Sequence, residues 1–354
     1  MTTPRLTTLV QGGGCSRKLP AESLVEVLKN IAAIPHASVD LGTGPLDDAA
    51  VVRPFPGGRS MVLTIDVFTP IVDDPGDFGG IAAANALSDV YAMGGRPEVA
   101  LSFVGFPTDK LSLDVLAEIL AGMRAVCARA GCAIVGGHTI ADTEPKAGLA
   151  VVGSVDPARV WSHRSAVEGQ ALILTKALGT GIAGQAIRAG TASEALIRAV
   201  TAQMLQLNDV ACAVGLDLGA TSCTDVTGFG LLGHLKNVIE ASRLDAELHA
   251  PSVPLLDEVL DLTAAGAVPG GSKRNLAYVA PMVDFAEEVS ATQRLLLADA
   301  QTSGGLLLCV PESHAERAVQ RLRDEGCARA ARIGSLRAAD GAPRIRVQGA
   351  LSGP

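Results

Sequence analysis

Apolar segments of strand length alternate with segments of helical periodicity along nearly the whole chain. That alternation restricts the fold more than any other feature. The longest apolar runs, Val99–Pro107 and Ala147–Val155, are strand-sized, and none approaches the roughly 20 residues needed to span a bilayer. Strands and helices mixed in this way must bury their apolar faces against one another, which gives layered α/β or α+β domains. Hydrophobic residues are 48% of the chain and aromatics only 3%, so the core between the layers must be mostly Ala, Val, Leu and Ile.

Helical spacing runs over Ala21–Ile34, Phe78–Met93 and Ser112–Ala130. Extended segments fall at Ser60–Asp66, Glu98–Phe106, Cys132–Gly136 and Gly148–Val155. The polar stretch Asp156–Gln170, with Pro157, reads as a link near residue 160. A second half opens on the apolar strand Ala171–Thr175 and continues through helices near Ile182–Ala189 and Glu194–Ala213. It then passes a strand-turn-helix at Ala220–Ser242 to a buried strand at Gly304–Val310 and a helix at Ala315–Glu325. With 354 residues, two α/β or α+β domains are expected.

The formal charge is −8, which argues against nucleic acid, because affinity there rests on Lys and Arg meeting phosphates. An acidic chain can still take a polyphosphate when divalent cations bridge the two sets of negative charge. The seven cysteines are scattered, odd in number and without a CxxC pair, so neither a disulfide framework nor a structural zinc site is expected. The opening residues lack a basic region followed by an apolar block, and the chain reads as cytoplasmic, with no membrane partner.

Two stretches match G-x-G-x-x-G, Gly179–Gly184 and Gly228–Gly233. The first follows an apolar strand and precedes a helix, as a dinucleotide loop does. It is one of two such matches in a chain with 39 glycines, and its nearest following acid, Glu194, falls within a helix; a dinucleotide site is therefore not expected. No Walker A sequence is present, so any ATP site works without a P-loop. His234, on a helix after a Gly-rich turn, reads as a packed residue. His138 follows Gly136-Gly137 at the end of an apolar strand, where backbone amides could meet phosphate oxygens or simply turn the chain.

Four acidic sites stand where an element meets a turn or lies in apolar surroundings: the pair Asp47-Asp48, then Asp66, Asp89 and Asp225. A sheltered carboxylate costs several kcal/mol unless partnered, and few basic residues lie near these. Mg²⁺ prefers carboxylates, water and phosphate oxygens, so such a set could clamp a triphosphate. Taken one at a time, each is equally a cap or turn residue. Near the start, Gln11-Gly-Gly-Gly-Cys15-Ser-Arg17-Lys18 sets a cysteine beside two cations, which lowers a thiol's pKa. Lys18 could also reach a phosphate. A tail with an incidental cysteine is the plainer alternative.

Together these segments resemble the selenophosphate synthetase (selenide, water dikinase) family. The matching stretches are Gly14-Cys15 with Lys18, Leu46–Val51, Thr64–Asp66, Pro70–Pro75, Ile81–Asp89, Ala92–Gly95, Gly136–Thr139 and Leu174–Lys176. Thr224–His234, Gly266–Gly271 and Gln301–Gly305 complete the set, in the family's order over nearly the whole chain. The resemblance implies an α+β (α/β mixed), two-domain fold of the aminoimidazole ribonucleotide synthetase-like group. Residues 1–20 would form a flexible catalytic arm, 21–157 an N-terminal ATP- and metal-binding domain, and 158–354 a C-terminal domain. N-terminal strands would pair across a homodimer with ATP at the interface.

Position by position, the resemblance implies Cys15 and Lys18 as catalytic residues. It implies Asp48, Asp89 and Asp225 as metal ligands. Lys18, Pro45, Leu46, Asp47, Asp66, Asp89, Gly137, His138 and Thr139 would contact the nucleotide. ATP is then a substrate, more than one Mg²⁺ a cofactor and K⁺ a further candidate. Selenide is the acceptor, with a selenium-delivery protein as a candidate partner. The implied reaction turns ATP, selenide and water into selenophosphate, phosphate and AMP. Two departures stand out: Arg17 replaces a second cysteine many relatives carry, and Ala300 replaces the proline often found before Gln301. Another ATP-dependent enzyme of the fold group, or a non-catalytic nucleotide-binding paralogue, would lack reason to keep both Cys15 and Lys18.

Overall fold

The computed structural model describes residues 5–10, 13–14, 39–41, 50–52 and 58–352. In the first half, strands β1 (Val39–Leu41), β2 (Ala50–Val52) and β3 (Ser60–Phe68) lead into helix α1 (Pro75–Ala92). Then come β4 (Arg96–Phe106), α2 (Leu113–Arg129), β5 (Ala133–Ala141) and β6 (Lys146–Val155). Among the described residues the strands form one sheet in the order β1-β2-β3-β6-β4-β5, antiparallel except for the parallel pair β4 and β5.

Local chemistry explains where α1 begins. The Asp74 side chain accepts from the Asp77 N–H at 2.8 Å, and Pro75 occupies the first turn, where its missing N–H costs nothing. The helix is buried along most of its length because it lies between the sheet, α2 and elements of the second half.

The second half contains β7 (Ala171–Leu174), α3 (Thr180–Ala189), α4 (Glu194–Leu205), α5 (Asp209–Asp217), β8 (Ser222–Asp225), α6 (Gly230–Ser242) and β9 (Leu244–His249). It continues through α7 (Val259–Ala264), α8 (Gly270–Val279), β10 (Val283–Phe285), α9 (Ala291–Leu297), β11 (Leu306–Val310), α10 (Ala315–Asp324), β12 (Ala331–Ala338) and β13 (Ile345–Gln348). Its sheet runs β10-β13-β9-β12-β7-β11-β8. The fold is thus mixed α and β in two sheets, and the first sheet ends at Val155 before the second opens at Ala171.

One expected element is broken. The helical spacing over 194–213 predicts a single helix, yet Gln206 is extended (φ −71°, ψ 127°) and separates α4 from α5. Tertiary demands override the local pattern. The Gln206 carbonyl accepts from Lys176 Nζ at 2.7 Å, and Asn208 Nδ2 donates to Ser88 Oγ and to the Gly304 carbonyl, both at 2.9 Å. No helix among the described residues is long and apolar enough to cross a membrane.

Candidate active site

Side chains alternate across β3, which turns Val62, Thr64 and Asp66 toward α1 and leaves Leu63 and Ile65 exposed on the other face. Asn85 and Asp89 stand four residues apart on α1, on one side of the helix. The two pairs meet: Thr64 Oγ1 donates to Asp89 Oδ2, and Asn85 Nδ2 donates to Asp66 Oδ2 at 2.6 Å. The same Asn85 reaches into the second half, where its Oδ1 accepts from the Ser303 N–H at 2.8 Å. Ser303 holds a left-handed backbone (φ 47°), a conformation costly for a side-chain-bearing residue unless its surroundings fix it.

Those surroundings are visible. Ser303 Oγ donates to the Met204 carbonyl at 2.6 Å, and the Ser303 carbonyl accepts from the buried Lys176 Nζ at 2.9 Å. Burial pushes the Lys176 ammonium down from 10.5 to about 7, with Cys327, Asp225 and Asp209 pulling in the opposite sense. Between those two values the unfolded chain binds more protons at this group than the folded chain does, so stability gains from this lysine as pH rises from about 7 toward 10.5. Lys176→Met should therefore flatten the rise of melting temperature between pH 7 and 10 relative to the parent chain. An unchanged slope would remove Lys176 as its source.

Asp225 ends β8 with only 1% of its surface exposed. It pairs in register with Leu306, and β8 packs against α1. His234 fixes the chain that follows: its Nε2 accepts from the Thr227 N–H at 3.1 Å, and its Nδ1 lies 3.2 Å from Thr224 Oγ1. The packed reading of His234 holds.

Asp66, Asp89 and Asp225 are thus gathered around one helix, but no three His, Cys, Asp or Glu side chains among the described residues form a group that could hold a metal by themselves. Their oxygen-only donor chemistry, on half-buried and buried carboxylates, fits a hard cation such as Mg²⁺. Cys15, Lys18, Pro45, Leu46, Asp47 and Asp48 lie outside the described residues. Gly137, His138 and Thr139 stand exposed on β5, paired with Ser102, Phe103 and Val104 of β4. Strand β5 is separated from β3 by β6 and β4, about 14 Å at the ordinary strand spacing. Within one chain, this part of the expected nucleotide site is not brought to Asp66.

The backbone amides of the Gly179–Gly184 loop have partners within the chain. The free amides at the start of α3, which attract phosphate in such loops, are already satisfied. Gly179 and Thr180 donate to Gln301 Oε1 at 3.0 and 3.1 Å, while Gly181 and Ile182 donate to Asp299 Oδ2 at 3.1 and 3.3 Å. Burial raises the Asp299 carboxyl to about 7, and its donors from Ser272, Ile182, Gln301 and Gly181 work against that rise. The neighbouring Ala300 N–H donates to Ser272 Oγ at 3.1 Å, a bond a proline there could not make.

Thr64, Asn85, Lys176 and Ser303 do not stand out in the sequence as individual residues, although each lies inside a segment shared with the family. The four-residue spacing of Asn85 and Asp89 was the available signal.

Comparison with known proteins bears on the family and the fold. Residues 46–155 match the AIR synthase related protein N-terminal domain, and residues 167–345 match its C-terminal domain. The chain is 46% identical over 347 residues to a selenide, water dikinase of Myxococcus xanthus, covering 98% of this chain and 97% of that one. It is 42% identical over 336 residues to the selenide, water dikinase of Carboxydothermus hydrogenoformans, covering 95% and 97%. The solved structure of AaThiL complexed with AMPPCP and TMP shares the fold, with a TM-score of 0.66 at 18% identity over 95% of this chain and 96% of that chain. Full-length identity of this order, over both matched domains, makes the chain a member of the selenide, water dikinase family.

Proposed function

We propose that the protein synthesises selenophosphate, converting ATP, selenide and water to selenophosphate, phosphate and AMP. The observation that carries this reading is the 46% identity to a selenide, water dikinase over nearly the full length of both chains. ATP is the phosphoryl donor, in keeping with the AMPPCP held by AaThiL on the same fold. Selenide, supplied free or by a selenium-delivery protein, is the acceptor.

In this reading Asp48, Asp89 and Asp225 would hold Mg²⁺, which when bound neutralises charge on the triphosphate; K⁺ is a further candidate ion. The remaining work falls to the chain. Asn85 and Thr64 orient the Asp66 and Asp89 carboxylates through the bonds described above. Asp66, with Pro45–Asp47, contacts the nucleotide. Lys18 meets the transferred phosphoryl group, and Cys15, its thiol favoured as thiolate by Arg17 and Lys18, handles the selenium.

In this reading the protein is a homodimer. The sheet face opposite α1 and α2 exposes Ile65 (65%), Val135 (63%) and Leu101 (50%), which together with Leu63, Val99 and Val152 line an apolar groove of about 530 Å³. A contiguous apolar face of this kind is unusual on a monomer, and β5 leaves a strand edge at its border. A second copy on this face by two-fold symmetry would cover these side chains. Ile65→Lys should halve the mass measured by light scattering and lower turnover with it; a variant that stays dimeric would refute this placement.

The test of the activity is anaerobic ³¹P NMR of the purified protein with ATP, Mg²⁺ and selenide, beside a selenide-free control. A selenophosphate resonance with AMP and phosphate is expected. Accumulation of ADP with no selenium–phosphorus species would overturn the reaction while leaving the fold intact.

A further inference from the structure

The first described residues are held in place from both halves of the molecule. Arg5 Nε donates to Asp73 Oδ2 at 2.7 Å, and Arg5 Nη2 donates to the Ile187 carbonyl, on α3, at 2.6 Å. The other oxygen of the same carboxylate, Asp73 Oδ1, accepts from the Thr7 N–H at 2.9 Å and from Thr7 Oγ1 at 2.6 Å. Around these polar contacts Leu6, Thr7 and Val10 are buried.

Seven residues after Thr7 the chain is fixed again. The Gly14 N–H donates to the Thr69 carbonyl at 3.0 Å. A Cβ on Gly14 would strike Thr302 Oγ1, and one on Gly13 would strike the Pro70 carbonyl. Gly14 also sits at φ 58°, so glycine is required there for its backbone as well as for space. Thr302 precedes Ser303, whose N–H binds Asn85, which in turn binds Asp66. Asp74, next to Asp73, caps the helix that carries Asn85 and Asp89.

We infer that Asp73 is a positioning residue for the reaction: by gripping Arg5 and Thr7 it sets the path of the chain to Gly14, and so the point from which Cys15 and Lys18 depart. This rests on the reading of Cys15 and Lys18 given above. The Arg5–Asp73 pair is half-exposed and such pairs add little to global stability, so the clasp's value lies in placement. Displacing reacting groups by about 1 Å can cost up to about 100-fold in rate.

The test uses the full chain with Asp73→Ala, Asp73→Asn and Thr7→Val. In D73A, hydrogen exchange at the Gly14 amide should accelerate about tenfold or more, while amides in β11 keep their protection. Selenide-dependent kcat should fall about tenfold with the KM for ATP within about twofold. D73N, which keeps an acceptor for Thr7, should restore most of both losses. Thr7→Val, which removes only the hydroxyl donor, should move both in the D73A direction by less, and it carries the test if D73A does not fold. Unchanged exchange at Gly14 in D73A, or unchanged kcat in a chain that makes selenophosphate, overturns the inference. So does a kcat loss that merely tracks exchange across the whole molecule. A parent chain that makes no selenophosphate faults the proposed reaction instead, and exchange at Gly14 still judges the clasp.

Discussion

Replacing Asp89 with Ala is expected to lower ATP-dependent turnover by at least about 100-fold, the scale on which charged groups serve phosphoryl transfer. The fold should survive. Asp89 is half-buried and accepts a hydrogen bond from Thr64, and losing one such bond costs about 1 kcal/mol. Asp89→Asn separates the two roles of the side chain, because the amide oxygen can still accept from Thr64 while the charge is gone. If the charge matters for holding a cation and triphosphate, D89N should be nearly as impaired as D89A in AMP formation, with melting temperature close to the parent. Parent-like turnover in D89N would exclude Asp89 as a metal ligand.

The second large effect is expected at Cys15. Cys15→Ser should abolish selenide-dependent turnover while nucleotide binding, followed by calorimetry with a non-hydrolysable ATP analogue, stays within about twofold. The six described cysteines are all buried, and burial pushes the Cys212 and Cys309 thiols up to about 12. They are poor substitutes for a reactive thiolate. Full turnover in the serine variant would take Cys15 out of the mechanism.

What could be read from the residues divides along the range of the interactions involved. Helix α1 was legible over Phe78–Met93 because helical spacing is a local signal; its start at Pro75, set by the Asp74 cap, was not read. The strands β3, β4 and β6 were legible because each is an apolar run of strand length. The break between α4 and α5 was not, since it answers to Lys176, Ser88 and Gly304, none of them neighbours in sequence. Two of the acids, Asp66 and Asp89, do converge, but through Asn85 and Thr64, and the spacing of carboxylates alone cannot reveal neutral intermediaries. The Gly-rich loop was suspect from the chain's glycine content, while the acceptors that occupy its amides lie about 120 residues away, in Asp299 and Gln301.

That loop has a consequence for how the second half meets anions in solution. Asp299 and Gln301 act there as ligands tethered to their own receptor, and a tethered group presents an effective concentration in the millimolar range or above, without the entropy loss of capturing a free molecule. Inorganic phosphate, released in every turnover of the proposed reaction, would have to displace both acceptors at once. The amides of Gly179–Ile182 are therefore guarded against phosphate by acceptors of the chain itself.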